Sequence, residues 1–454
     1  MPVQTHHPDY DAHKKEWTDM DAALAGEAAI KANAENLPKP SGMVEAEKQS
    51  EANRYLYQNY TQRAQYEHWV RDSLRSMVGL VSRLQPEIEL PEGLVAMEEN
   101  ATDDGFGLRQ LFLRLVRQSI SHGRAPILVN VDDDGEPYIT VYRAQSAINW
   151  KLGSQKGRRD LILAVLMEAR EKDDADEFSH ETETVFRVFL MRDGVCYTRV
   201  EDDAGTVIEQ ERPLGTTDSG GQLARGLEYI PIIYCGSTDN SPDVDEIPLL
   251  SMARAALKSY QLSADYFTAL HQTSHPQPWV SGLDEGKDLS VTGPSAAWDL
   301  GPNGSCGYLE FQGAGIDAVR QAMTDQKNAA LEAGAKVMDV SGTESGDARR
   351  ARQDDQHATL HSIVVTVAEA IEQALRYAAE WTGRDPAKVK FTVKPEFVIP
   401  AIDPQVLAQL QQAVLAGGVS WESYWTYLTL GKLPEHGYDD EAVKIEGGIT
   451  DVQE

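Results

Sequence analysis

No stretch of this chain approaches the roughly 20 consecutive apolar residues that a membrane-spanning helix requires. The opening residues, MPVQTHHPDYDAHKKEW, hold no apolar core of signal-peptide length. A soluble chain, not exported by a recognisable signal, is expected. Cysteine is scarce: Cys196, Cys235 and Cys306 are the three, and none stands in a CxxC pair. That argues against a disulfide framework or zinc ribbon and fits a reducing compartment. Basic residues are outnumbered, 42 against 72 acidic, leaving a formal charge of −30. Such a field repels nucleic acid overall, because tight phosphate binding needs clustered Lys and Arg. Catalytic signatures are missing too. There is no GxxxxGK[ST], no GxGxxG between strand and helix, no GxSxG elbow and no HExxH. No cofactor and no enzymatic activity are expected.

What is present is a succession of helices and short strands. With 454 residues, 41% of them hydrophobic, the chain is long enough for two to four domains. Residues 1 to about 50 are polar, with Pro38 and Pro40, and read as a mobile arm or surface-wrapping extension. Helical periodicity follows over Asn53–Val81 and Gly107–Ser121, the second with Leu108, Leu111, Phe112, Leu115 and Val116 on one stripe. Strand signals then take over. ILVNV and YITVY flank a turn at Asp134-Gly135; LILAVLME, TVFRVFLM, VCYTRV and TVIEQE follow, with turns at Arg192-Asp193-Gly194 and Asp203-Ala204-Gly205. Residues 125–235 therefore read as a mostly antiparallel sheet region in an α+β fold.

From Pro248 the pattern returns to helix, stopped by Pro276 and Pro278. Residues 276–313, rich in Gly, Pro, Ser and Trp, read as a strand-and-loop insertion. Two alanine-rich helices, Ile316–Met338 and His357–Trp381, flank a charged loop, Asp339–Gln356. One strand in VKFTVKPEFV, a helix opening at Asp403-Pro404 and ending at Gly417-Gly418, and the helical WESYWTYLTLGKL complete the chain.

Several groups invite a chemical reading and do not hold it. His271/His275 and His357/His361 have the i, i+4 spacing of a metal pair, but no third ligand is nearby. Asp132, Asp133 and Asp134 lack the alternation of a calcium loop and suit a hairpin turn. The acidic run Glu171–Glu183 suits a solvated loop. Ser121-His122-Gly123-Arg124 suits a helix C-cap with a basic neighbour rather than a catalytic triad. In the charged loop, Arg349, Arg350 and Arg352 read either as a mixed-charge surface or as guanidinium groups that touch phosphates non-specifically.

The ordered series of segments resembles the tailed-bacteriophage portal proteins, specifically a subfamily long described only as a domain of unknown function. The stretches that carry it include YLYQNYTQRAQY, ENATDDGFGLRQLF, SHGRAPILVNV and EPYITVYRAQSAINWKL. It continues through IPLLSMARAALKSYQLSADYFTALHQTSHPQPWVSG, ALEAGAKVM, VAEAIEQALRYAAEWTG and GGVSWESYWTYLTLGKLPEHGYDDE, so that it covers about 50–446. No single piece is diagnostic; their order is.

The resemblance implies a portal fold: arm 1–50, wing 51–246, stem helix 247–275, clip 276–313, stem helix 314–338, tunnel loop 339–356, wing 357–398, and crown with tail 399–454. It implies a ring, usually of twelve copies, at one capsid vertex of the virion, assembled in the host cytoplasm. Double-stranded DNA would pass through it during packaging and ejection, held without sequence preference. Its partners would be the terminase large subunit, a head–tail adaptor, and the major capsid and scaffolding proteins, with no membrane. Small residues Ala253, Ala256, Ala329, Ala330 and Ala333 would let stem helices pack; Trp279, Trp298 and Phe311 would pack the clip; Arg349, Arg350 and Arg352 would face DNA. The acidic excess would suit a channel to which DNA does not stick. The alternative is a ring-forming connector or minor capsid protein without a channel role. One departure stands out: the long C-terminal helical barrel of some portals is lacking.

Overall fold

The computed structural model describes residues 2–155, 157–172, 178, 180–217, 223–274, 277–282, 303–309, 314–334, 346–395, 404–430 and 440–445. In parts of these, 346–358 included, it describes the backbone alone. The chain forms two compact units, Met1–Val393 and Lys394–Glu454.

The first unit opens with α1 (Pro8–Ala25), α2 (Glu27–Ala32), α3 (Ser41–Gln49), α4 (Arg54–Arg63), α5 (Trp69–Val81) and, after strand β1 (Pro86–Glu89), α6 (Leu108–His122). The N-terminal residues fold as helices that pack on the body. Tyr10, Trp17, Met20 and Ala23 of α1 recur at helical spacing and are buried. His7 starts the helix by accepting a hydrogen bond from the Asp9 amide, with Pro8 at the first helical position. The helix expected over Asn53–Val81 is broken at Ala64–His68 for a tertiary reason. Ser263 Oγ accepts from the Gln65 amide (2.9 Å) and donates to the Gln65 carbonyl (3.1 Å), while buried Tyr66 meets Tyr260 edge-on.

The predicted stripe of α6 is completely buried, packed against α5, strand β2 (Arg124–Val131) and a later helix. Full burial of each such aliphatic or aromatic side chain contributes roughly 1.5–3 kcal/mol. Gly123 joins α6 to β2 at φ 75°, and a Cβ there would lie 2.7 Å from the Asp245 carbonyl, so no other residue fits. β2 is the middle strand of a three-stranded antiparallel sheet, between β3 (Pro137–Val141) and β11 (Ile232–Gly236). The β2–β3 turn forms as predicted: Asp132 Oδ1 accepts from the amides of Asp134 (3.0 Å) and Glu136 (2.8 Å).

A five-stranded antiparallel meander follows: β4 (Ala147–Gln155), β5 (Arg158–Glu171), β6 (Thr182–Arg192), β7 (Val195–Asp202) and β8 (Val207–Pro213). Asp193 and Gly194, at φ 50° and 80°, close the β6–β7 hairpin in the left-handed conformation that matches strand twist. β9 (Gly215–Thr217) and β10 (Leu223–Gly226) make a small side ribbon. The backbone amide of His7 bonds the Ile148 carbonyl of β4 (2.9 Å), and Asn149 Nδ2 bonds the Thr5 carbonyl (2.7 Å), so the N-terminal residues cover that edge of the meander.

The long helix α7 (Leu250–Thr273) leads to the hairpin β12 (Gln277–Ser281) and β13 (Ser305–Leu309), then to α8 (Ala314–Glu332), α9 (Gly346–Trp381) and β14 (Lys390–Val393), which pairs with β1. α9 lies over β2 and β11, with Val364, Val367, Ile371, Ala374, Leu375 and Ala378 inaccessible to solvent. It begins eleven residues earlier than expected, at Gly346 rather than His357. The run from Ala348 to Gln353 consists of Ala, Arg and Gln, all good helix formers, with neither Gly nor Pro. The expected loop over 339–356 is therefore corrected: 346–356 are helical, and 339–345 lie outside the described residues. α8 ends earlier than expected, with Gly334 at φ 120°.

In the second unit, α10 (Pro404–Leu415) begins at Pro404 as predicted and is followed by Gly417 at φ 76°. α11 (Trp421–Leu430) is capped through Ser420, whose Oγ accepts from the Ser423 amide. Glu441, on a short helix at 440–445, accepts from the Ser420 amide (2.7 Å) and from Ser423 Oγ (2.7 Å).

Candidate functional site: the helix–hairpin–helix segment and the N-terminal clasp

α7 and α8 lie side by side, joined at one end by the β12–β13 hairpin. The start of α7 is held in the body by Leu250, Met252, Ala253, Ala256 and Tyr260, all buried. The end of α8 returns to the body, where Ser73 Oγ of α5 donates to the Gly334 carbonyl (3.2 Å). Between these anchors α8 is wet: of residues 315–334, Ala330 alone is buried.

The five alanines singled out for stem packing divide accordingly. Ala253, Ala256 and Ala330 are already buried within the chain, Ala253 beside Ala23 and Ile30 of the N-terminal helices. Ala329 is exposed and Ala333 half-buried. On the hairpin, Trp279 is 45% exposed and lies over Gly307 of the facing strand, where a Cβ would come within 3.1 Å of Nε1. Tyr308 is 60% exposed and Cys306 is also exposed. Trp298 and Phe311 lie outside the described residues, as do the side chains of Arg349, Arg350 and Arg352; the backbone places those three arginines in the first two turns of α9.

Among the described residues no group of three or more His, Cys, Asp or Glu is placed to hold a metal. His271 and His361 are exposed; His275 and the side chain of His357 lie outside the described residues.

The segment Ser121–Arg124 holds more than a helix cap. Ser121 Oγ lies 2.7 Å from His122 Nδ1, and His122 Nε2 lies 3.0 Å from Asp21 Oδ1. Ser121 is 2% exposed and also donates to the Arg117 carbonyl (2.8 Å), so this string ties α1 to the end of α6 and leaves no accessible nucleophile. Arg124, 1% exposed, is the centre of the clasp. Its guanidinium carbon lies 4.5 Å from the Trp150 ring centre, 5.2 Å from Trp17 and 5.5 Å from Tyr234. Its nitrogens donate to the carbonyls of Ala147 (2.9 Å), Pro242 (3.2 Å) and Ala144 (3.3 Å). Burial pulls its pKa down to about 10, against the pull of the Tyr234, Tyr10, Asp9 and Asp245 charges, so it stays cationic at neutral pH. Trp17 Nε1 donates to the His122 carbonyl (3.0 Å), and His7 stacks on Trp150 at 4.1 Å.

Burial tends to raise the Asp21 carboxyl, but its hydrogen bond and attraction to His122, with Arg143 and Gln145, outweigh this and lower its pKa. A depressed carboxylate contributes stability above its unfolded pKa, which is lost as pH falls through the folded value. Docking of α1 should therefore hold above about pH 4 and loosen below it. Limited proteolysis across pH checks this: Asp21→Asn should flatten the acid-side change, and an unchanged profile in that variant would refute the assignment.

Residues 248–382 match the family model described as "Domain of unknown function (DUF4055)", a segment shorter than half the chain that runs from the start of α7 to the end of α9. No curated protein matches the chain significantly. Among solved structures, a chain from "Neck of native GTA particle computed with C12 symmetry" matches at 14% identity and a TM-score of 0.39, over 87% of this chain and 94% of that one. A chain from "Virion of native gene transfer agent (GTA) particle" matches at 14% identity and a TM-score of 0.40, over 90% and 99%. At these scores neither likeness carries an argument about fold or function.

Proposed function

We propose that this chain is a non-enzymatic structural subunit of a phage-like virion: a portal-type ring at one capsid vertex through which double-stranded DNA passes. The observation that carries the reading is the pair α7 and α8, anchored in the body at one end and joined by a hairpin at the other, with Ala330 the one fully buried residue over 315–334. A helix with so little of itself buried, beside a hairpin that bears exposed Trp279 and Tyr308, suits burial against neighbouring copies. The ordered sequence series supports the same reading, with twelve as its copy number and terminase, adaptor, capsid and scaffolding proteins as its partners. In this reading α7 and α8 are the stem and the hairpin belongs to the clip. Ala329 is the stem alanine left exposed for a neighbour; Ala253, Ala256 and Ala330 serve packing within the subunit.

Arg349, Arg350 and Arg352 stand at the positive end of the α9 dipole, where cations cost helix stability. A passing phosphate relieves that repulsion, which favours these three as the DNA-facing group. Negative-stain imaging of the purified chain should show rings with a central hole; a compact monomer at micromolar concentration would overturn the proposal. In rings, changing all three arginines to alanine should leave assembly intact and lower the DNA packaged or retained several-fold. Unchanged genome length and retention would remove them from DNA contact.

A further inference from the structure

A groove of about 850 Å³ opens between the turn at Val95–Glu98, the loop that follows it, and the β2–β3 turn. Its apolar lining includes Val95, Ala96, Met97 and Pro137, and Val95 is 56% exposed. The walls are held by a dense set of backbone bonds. The Ala101 amide donates to the Phe106 carbonyl (2.8 Å), the Ile139 amide to the Ala101 carbonyl (2.8 Å) and the Asp103 amide to the Ile139 carbonyl (3.3 Å). A groove preformed in this way loses little conformational entropy on filling.

Its charge is one-sided. Asp103, Asp132 and Glu136 line it, and Glu92, Glu98, Glu99, Asp133 and Asp134 stand exposed on the same loops. Among the described residues no cation lies within 4.0 Å of these carboxylates; Asp104 alone in this region has one, Arg114 at 2.6 Å. Arg384 is the single cation among the lining residues, its guanidinium lying against Gly93, where a Cβ would come within 2.6 Å of Nε. Carboxylates gathered along one rim without cationic partners give a field that a cationic ligand complements.

We infer that this groove docks a segment of another protein in which apolar residues are flanked by lysine or arginine. The apolar floor takes the central side chains and the acidic rim takes the flanking charges. Nucleic acid is repelled by the rim, and a second copy, at −30, approaches it with like charge. The inference is independent of the ring proposed above.

The test uses the full chain and a labelled peptide with Leu-Val between Lys-Arg pairs, followed by fluorescence anisotropy at low salt. Asp103→Asn combined with Glu136→Gln should weaken binding about tenfold. Glu35→Gln combined with Asp243→Asn removes the same charge from exposed positions elsewhere and should change it less than about twofold. Val95→Ser should weaken the Leu-Val peptide and leave a Ser-Ser version of it unaffected. Equal losses in both double variants would show general attraction to an acidic protein and overturn the inference. So would no loss in either, or a change in the self-association of the chain on sedimentation, which would make the face an interface between copies.

Discussion

Replacing Arg124 with alanine should lower stability by about 4 kcal/mol and release α1 from the body. The change removes the donor from three carbonyls, those of Ala144, Ala147 and Pro242, and the cation from among Trp17, Trp150 and Tyr234. It also leaves a cavity at a site 1% exposed. Trp17→Ala should cost a similar amount, because it deletes an inaccessible indole and its bond to the His122 carbonyl. The two losses should not add, since each variant already opens the same clasp. Arg124→Lys should recover only part of the stability: an ammonium keeps the charge but cannot fork to three carbonyls and lie flat among rings. Thermal unfolding and proteolysis of the N-terminal residues read both effects. An Arg124→Ala protein that melts with the parent would refute the clasp.

The second large effect is expected where the two main sheets meet. Arg187 of β6 pairs side-on with Glu168 of β5, Nε to Oε1 at 2.8 Å and Nη2 to Oε2 at 3.1 Å. Tyr142, just beyond β3, donates to the same carboxylate at 2.6 Å. Both partners are mostly buried, at 21% and 18% exposure. Burial alone would lower the Arg187 pKa, but the Glu168 bonds and charge hold it above its ordinary value; burial and the same carboxylate push Tyr142 up. Glu168→Ala leaves the mostly buried guanidinium only Glu209, at 3.5 Å, and strands the Tyr142 phenol, and should cost about 2–3 kcal/mol, read as a fall in the urea midpoint at constant slope. Glu168→Leu with Arg187→Met should cost less than Glu168→Ala, because apolar groups of similar volume fill the site and no guanidinium is left there without its carboxylate. A double variant as unstable as the sum of its parts would show that the network's packing, rather than its charges, holds the sheets.

Periodicity made much of the fold legible. The α6 stripe recurs at 3.6-residue spacing, and the Asp-Gly turns place the β2–β3 and β6–β7 hairpins because only certain residues tolerate positive φ. The stripe in α1 was also present, but Tyr10, Trp17 and Met20 stand among Asp9, Asp11, Asp19 and Asp21, so the segment reads as polar. The pattern of β4 is short: Ile148, Trp150 and Leu152 alternate with Asn149 and Lys151 before Gly153 and Ser154 interrupt it. Arg124 was not legible as a buried group at all. A cation after a helix C-cap ordinarily faces water, and the rings that enclose it come from positions 17, 150 and 234. The groove beside Val95 is hidden for the same reason, being assembled from loops and a turn far apart in the chain. In the helix–hairpin–helix segment the order of elements could be read, but not which alanines the chain consumes in its own packing.

The clasp also fixes an order of events during synthesis. Trp17 leaves the ribosome early, but its site is complete only once Tyr234 has followed, and at typical elongation rates that takes roughly 10–40 s. Through that interval α1 can already pack on α2, α5 and the end of α6, but the ring cage around Arg124 stays open. The docking of α1 is therefore finished well after the helix is made, and it closes the β4 edge that would otherwise stay open to other nascent chains.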